Sequence, residues 1–275
     1  MNWVEAVVLG IVQGLTEFLP VSSSGHLVMG QFLAGLQEPE LLFDISVHGG
    51  TLLAVLAVFH RDLLAIAGSV AQIPSALRTA GGLSALAMDR SEVRLLWMIV
   101  LGSIPTAILG LLLSHMAEEL FGTIRLVGFA LLVTGTFLWY TRRRSGRGRP
   151  LREMRWRDAV LIGFAQGLAI VPGISRSGAT IATALYLGLD RELAGRFSFL
   201  LSIPAIIGAL ALVFNGDLFR STLPLGVILA GSLSAAAVGY LALIFLLRIV
   251  KRGQLHRFAP YCWVVGIAAL IMSTV

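Results

Sequence analysis

Polar positions are rare along this chain, and most of those away from loops fall in two places. Apolar runs near 42–60, 93–114, 124–141, 194–214, 223–248 and 258–275 each approach the roughly 20 helical residues that cross a bilayer core. They predict six transmembrane helices. Two further apolar segments, 2–35 and 155–188, are interrupted in the middle by Pro and Gly among hydroxyl residues, and neither half is long enough to span. Each reads as a re-entrant helical hairpin, because irregular backbone at membrane depth is tolerated only where protein or water surrounds it.

The two hairpins are copies of one unit. Ile11-Val-Gln-Gly-Leu-Thr-Glu-Phe-Leu-Pro-Val-Ser-Ser-Ser-Gly-His26 returns 153 positions later as Phe164-Ala-Gln-Gly-Leu-Ala-Ile-Val-Pro-Gly-Ile-Ser-Arg-Ser-Gly-Ala179. The register holds without a gap from Trp3/Trp156 through Ala6/Ala159, Gly10/Gly163 and Gln13/Gln166 to Gly25/Gly178. Repeat one then covers 1–141 and repeat two 155–275, each a hairpin followed by three spans, in a single integral membrane domain. An odd number of spans turns the second copy upside down. The expected fold class is an all-α polytopic membrane protein built as an inverted-topology repeat, with its site near the bilayer midplane.

Composition agrees and removes other classes. With 57% hydrophobic and 13% charged residues and a mean hydropathy of +0.87, the chain is too apolar for a soluble domain. Cys262 is the one cysteine, which excludes an intramolecular disulfide and argues against a cysteine-based metal site. The start of the chain lacks a basic leader, so no cleaved signal peptide is expected. The net charge of +6 does not indicate nucleic acid. Arginines 142, 143, 144, 147, 149, 152, 155 and 157 stand in the loop 142–157 against only Glu153, as the positive-inside rule predicts for a cytoplasmic loop. Arg248, Lys251, Arg252 and Arg257 place the loop before the last span on the same side. The linker 61–92 then faces the cytoplasm, while the loops 115–123, with Glu118 and Glu119, and 215–222 face outward with both termini. Hairpin one opens outward and hairpin two inward, so their tips can meet.

The copies differ in chemistry. Glu17, Ser23 and His26 of the first stand where Ile170, Arg176 and Ala179 stand in the second. Pro20 ends one half-helix and Ser22 caps the next, aiming the N–H groups near Ser23, Ser24 and Gly25 into the site. Pro172, Gly173 and Ser175 repeat the arrangement. Two converging helix N-termini, each about half a positive charge, suit a phosphate group. Arg176 costs about 3 kcal/mol at membrane depth on insertion scales, and its planar fork fits phosphate oxygens; pairing with Glu17 merely to hold the hairpins together is the plainer alternative. Gln13 and Glu17 share a helix face. A carboxylate beside a phosphate socket suits a hard divalent cation, Mg²⁺ or Ca²⁺, or else is a structural group satisfied by hydroxyls or Arg176. Ser23 and His26, three residues apart, form the minimal arrangement for a nucleophile with an acid/base.

Several residues make smaller claims. Asp44 and His48 begin a span and are within reach of a head group, although a histidine there is as often structural. Ser175, Ser177 and Thr180 donate to phosphate or cap the half-helix. Glu5 and Asp158 fit helix N-termini, His60, His115 and His256 fit solvated span ends, and the glycines fit close helix contacts.

The runs Gln13-Gly-Leu-Thr-Glu-Phe-Leu-Pro-Val-Ser-Ser-Ser-Gly-His26 and Pro172-Gly-Ile-Ser-Arg-Ser-Gly-Ala-Thr180 resemble the two signatures of the bacterial undecaprenyl-diphosphate phosphatases of the bacitracin-resistance type. Phe43-Asp44 with His48-Gly-Gly-Thr51, Gly102-Ser-Ile-Pro105 and Phe197-Ser-Phe-Leu-Leu-Ser-Ile-Pro204 follow in family order. The resemblance implies hydrolysis of a polyprenyl diphosphate lipid to the monophosphate and inorganic phosphate. It also implies dependence on a divalent metal, in the cytoplasmic membrane, at a site reached from outside. Its essential positions map to Gln13, Glu17, Ser23, His26 and Arg176. Members often carry Glu in place of Gln13, so one anionic metal ligand is missing here. Attack by Ser23 with His26 as acid/base is the preferred expectation, with His26 or an activated water as alternatives. A homodimer is an admissible assembly. A polyprenyl-phosphate transporter would share the phosphate socket, but it needs no acid/base beside a hydroxyl; an intramembrane serine protease would leave Arg176 without a role.

Overall fold

A computed structural model describes residues 1–34, 41–71, 91–114, 124–144, 148–213 and 223–274. Among these the chain is helical throughout: α1 (Trp3–Phe18), α2 (Ser23–Ala34), α3 (Leu41–Val58), α4 (His60–Val70), α5 (Ser91–Ser114), α6 (Ile124–Tyr140), α7 (Trp156–Leu168), α8 (Arg176–Tyr186), α9 (Arg191–Val213), α10 (Leu225–Lys251) and α11 (Ala259–Met272). Five helices are long and apolar enough to cross a membrane, and the pair α3 and α4 makes a sixth when taken as one broken span. The protein is an all-α polytopic membrane protein.

The expected interruptions are present. With 16, 12, 13 and 11 residues, α1, α2, α7 and α8 are about 24, 18, 20 and 17 Å long at 1.5 Å per residue, each short of a core of about 30 Å. The chain turns between α1 and α2 at 19–22 and between α7 and α8 at 169–175. Ser22 and Ser175 cap α2 and α8 through their hydroxyls, accepting the N–H of Gly25 at 3.3 Å and of Gly178 at 3.1 Å. Glu5 and Asp158 sit at the helix starts, bonding the backbone N–H of Asn2 at 2.9 Å and of Arg155 at 2.8 Å.

One expectation is corrected. The first span does not run on into a loop at 61: the chain bends by 75° after Val58 and continues as helix over His60–Val70. Asp62 on this segment pairs with Arg196 of α9 at 2.5 Å, which gives the bend a polar anchor. Residues 72–90 of that linker, the loop 115–123 with His115, Glu118 and Glu119, and all of 215–222 lie outside the described residues. The arginine-rich loop is also more structured than a solvated connection. Arg149 pairs with Asp158 at 3.0 Å and donates to the Leu187 carbonyl, and Arg94 of α5 donates to the carbonyls of Leu151 and Met154.

Packing pairs the halves crosswise. In repeat one the entering half-helix α1 lies against α10, the second span of repeat two; in repeat two α7 lies against α5, the second span of repeat one. The third spans, α6 and α11, lie against each other. Equivalent glycines make the close approaches: a Cβ on Gly10 would strike the Gly231 carbonyl, and one on Gly163 the Gly102 carbonyl. Without water to drive apolar surfaces together, such contacts bring membrane helices close enough for dispersion to hold them. Phe18 packs over Gly239 of α10 and edge-on to Phe199 of α9, with ring centroids 5.8 Å apart, which fixes the end of α1 and so the neighbouring Glu17.

Gly163→Ala should therefore destabilise the detergent-solubilised protein by about 1–3 kcal/mol. Gly208→Ala, where a Cβ meets nothing within 4 Å, should leave it unchanged or slightly stabilised. Thermal unfolding followed by intrinsic fluorescence distinguishes the two.

Candidate functional site

The two hairpin tips meet. The Ser22 hydroxyl, already capping α2, also accepts the backbone N–H of Gly173 at 3.1 Å, and a Cβ on Gly25 would lie 3.2 Å from the Gly173 Cα. Each tip is also held by the last span of the other half's kind: Thr134 of α6 donates to the Gly173 carbonyl at 2.9 Å, and the Cys262 thiol of α11 to the Pro20 carbonyl at 3.3 Å. Thr134 and Cys262 stand near the middle of the apolar spans 124–143 and 255–272, so the tips reach mid-depth of the helix bundle. The tips are not identical in backbone. Ser22 has φ +69°, whereas its equivalent Ser175 is extended and the left-handed residue of that tip is Gly173 at φ +95°. A non-glycine residue held there costs on the order of 1 kcal/mol or more, sustained here by the contacts of the Ser22 hydroxyl.

Glu17 is the centre of the site. It is 8% exposed. One carboxylate oxygen is ion-paired with Arg176 across the tips. The other accepts the Ser23 hydroxyl at 2.8 Å and the Gln13 amide N–H at 3.0 Å, with His48 Nε2 at 3.8 Å. Four helices, α1, α2, α3 and α8, thus converge on one carboxylate. His48 is oriented by its Nδ1, which donates to the Asp44 carbonyl at 2.7 Å, so both residues proposed from the start of that span belong to the site's surroundings, His48 by side chain and Asp44 at least by backbone.

Two buried polar atoms here have no hydrogen-bond partner among the described residues: Arg176 Nη1, a donor, and Gln13 Oε1, an acceptor. A buried unpaired donor or acceptor costs about 1–3 kcal/mol. Arg176 Nη1 therefore calls for an acceptor such as a phosphate oxygen, and Gln13 Oε1 for a cation or a water.

The other expected residues are placed as follows. The Ser24 hydroxyl lies 3.3 Å from that of Ser22, and Ser177 repeats this with Ser175 at 3.2 Å. Thr180 spends its hydroxyl hydrogen on the Arg176 carbonyl at 2.9 Å rather than aiming it at a ligand. The expected pairing of Ser23 with His26 is not formed: Ser23 turns to Glu17, and the two ring nitrogens of His26 bond the Ser22 carbonyl at 2.8 Å and the Tyr261 hydroxyl at 2.7 Å. Tyr261, Cys262 and Thr134 were not singled out from the sequence as site neighbours. They lie in the third spans, α6 and α11, away from the gapless tip alignment, and no spacing links them to the tips.

The chain matches the family described as bacitracin resistance protein BacA over residues 6–268. It belongs to that family. Relatives named undecaprenyl-diphosphatase include one from Desulforapulum autotrophicum, 48% identical over 275 residues and covering all of both chains. Another, from Desulfosudis oleivorans, is 53% identical over 269 residues, 97% of each chain. A third, from Korarchaeum cryptofilum, is 46% identical over 271 residues, 98% of this chain and 99% of its own. The match runs through both hairpins and all of the spans between them.

No group of three or more His, Cys, Asp or Glu that could hold a metal occurs among the described residues. Glu17 and the unpartnered Gln13 Oε1 still provide two hard oxygen donors from one face of α1, which suits a cation that fills its shell with substrate phosphates and water.

Arg176→Lys keeps the charge and loses the fork. It should raise KM for a polyprenyl diphosphate about tenfold or more, as followed by release of inorganic phosphate. Lysine serves this test better than alanine, because removing the charge would leave Glu17 buried and uncompensated at a cost of about 3–5 kcal/mol.

Proposed function

We propose that this protein hydrolyses undecaprenyl diphosphate to undecaprenyl phosphate and inorganic phosphate, recycling the lipid carrier of cell-wall polymers. The activity would confer resistance to bacitracin. The observation that carries the reading is the Ser23 hydroxyl bonded to Glu17 beside an Arg176 whose second nitrogen lacks an acceptor. A socket that only bound and released a lipid phosphate would need the arginine and the helix N-termini but no hydroxyl held against a carboxylate.

The chemistry follows from these contacts. The terminal phosphoryl group takes Arg176 Nη1 and the first-turn N–H groups of α2 and α8, which face the charge that develops on its oxygens. Ser23 Oγ attacks the terminal phosphorus as its proton passes to Glu17. The phosphorus–oxygen bond to the bridging oxygen breaks, and the lipid monophosphate leaves with that oxygen. Water then cleaves the phosphoserine, taking the proton balance back through Glu17, and phosphate departs. Ser23 is favoured over His26 as the nucleophile because both nitrogens of His26 are engaged elsewhere. Glu17 and Arg176 cancel in charge, so a diphosphate enters with its own charge uncompensated; Mg²⁺ or Ca²⁺ held by Glu17 and Gln13 would offset it and polarise the phosphoryl group.

The polyprenyl tail would remain in lipid between spans. The inverted sense of the two repeats, the outward-facing site and termini, and the location in the bacterial cytoplasmic membrane belong to the same proposal, supported by the concentration of arginines in the loop 142–157. All of the site residues come from one chain, so a homodimer is compatible with the mechanism without being required by it.

Purified protein should release inorganic phosphate from undecaprenyl diphosphate. Ser23→Ala should lower kcat by about 100-fold or more, and a chelator should abolish release, with recovery on adding Mg²⁺ or Ca²⁺. Full activity of Ser23→Ala would remove Ser23 as nucleophile, and lack of release by folded wild type would contradict the hydrolytic reading.

A further inference from the structure

The imidazole of His26 is held from both sides. A backbone carbonyl oxygen can only accept, so in the neutral ring Nδ1 carries the hydrogen and donates it to Ser22. Nε2 is then the basic nitrogen, and it accepts the hydroxyl hydrogen of Tyr261 at 2.7 Å. The two rings lie within 7° of parallel with centroids 5.7 Å apart, so contact and hydrogen bond together define the ring's tilt.

Tyr261 is itself held in place. It lies in the first turn of α11, directly after Pro260 and directly before Cys262, whose buried thiol bonds the Pro20 carbonyl of the same tip. Two successive residues of α11 thus grip hairpin one, one on its backbone and one on its histidine. Tyr261 is 46% exposed at the outer face of the bundle, on an otherwise apolar helix that also exposes Val264, Ile267 and Ile271. At membrane depth a phenol hydroxyl has little water to bond, so His26 is its compensating partner.

Resting on the phosphatase reading above, we propose that Tyr261 is a positioning residue that fixes the aim of His26 and bonds its basic Nε2, the tautomer being set by the Ser22 carbonyl. The hydrogen bond points Nε2 toward α11 rather than toward Ser23. Any proton that His26 takes or gives during turnover then passes at its Nε2–Tyr261 contact, on the side of the site that faces the lipid, while Glu17 serves Ser23.

The test uses intact protein in detergent, labelled with ¹⁵N-histidine, with His26→Gln to assign the His26 signals among the five histidines. Tyr261→Phe keeps the stacked ring and removes only the hydroxyl. In wild type, His26 should show Nδ1 protonated and Nε2 unprotonated but hydrogen-bonded; in Tyr261→Phe Nδ1 should stay protonated while the Nε2 signal moves to the position of an imidazole nitrogen without a hydrogen bond. In phosphate release, Tyr261→Phe should lower kcat about tenfold with KM within about twofold, His26→Gln should lower it about 100-fold, and the double variant should be no slower than His26→Gln alone. An unchanged Nε2 signal in Tyr261→Phe, or losses that multiply in the double variant, would overturn the proposal. A fully active His26→Gln would overturn it as well, but through the role of His26 in the reaction; activity lost from wild type itself would instead point to failure of the phosphatase reading, with the Nε2 signal still reporting on Tyr261.

Discussion

A carboxylate at mid-depth of a helix bundle that crosses a membrane is the constraint from which the rest follows. Stripped of water, Glu17 is costly unless its charge is paired and both of its oxygens are bonded. Its own half-helix supplies Gln13, the returning half-helix Ser23 and the other hairpin Arg176, with His48 of the first span close by at 3.8 Å. No single element could satisfy it, so folding has to bring the two tips together. The same group that demands this assembly is the one placed to act on a nucleophile, which makes stability and chemistry two readings of one contact.

Delivering the tips requires the interleaved packing of the halves. Because α1 leans on α10 and α7 on α5, neither repeat is a self-contained unit; each half-helix is guided by a span of the other copy. The glycines at positions 10 and 163 permit approach down to the backbone, and Phe18 locks the last turn of α1 between α9 and α10. The two hairpins share the glycines that set the crossing and differ at the tips, where one carries the anion and hydroxyl and the other the cation.

Much of this was legible in the sequence because it is local or repeated. The breaks at 19–22 and 169–175 are announced by Pro20, Pro172 and Gly173; Ser22 and Ser175 read as caps; and the offset of 153 sets Arg176 at the tip position of Ser23, so that the second tip carries a cation where the first carries Glu17 nearby. What stayed hidden depends on distant or conformational facts. The 75° bend after Val58 has no proline or glycine to mark it and is stabilised by Asp62 with Arg196. The left-handed backbone of Ser22, whose hydroxyl bonds Gly173 of the other tip, is not announced by its residue type. The pairing of Ser23 with Glu17 rather than His26 could not be seen without Tyr261, 235 positions from its partner, because two residues three apart on a helix face look equally able to bond each other.

The account stands on Glu17 and Arg176 acting as one unit across the two hairpins. The most direct measurement is a double-mutant cycle on kcat/KM for phosphate release, comparing Glu17→Gln, Arg176→Gln and the combination, each checked for folding by its thermal transition. The account predicts strong non-additivity, with the double variant little worse than the more impaired single one. Losses that simply multiply would mean that the two residues work at separate places, and the single site built from both repeats would be contradicted.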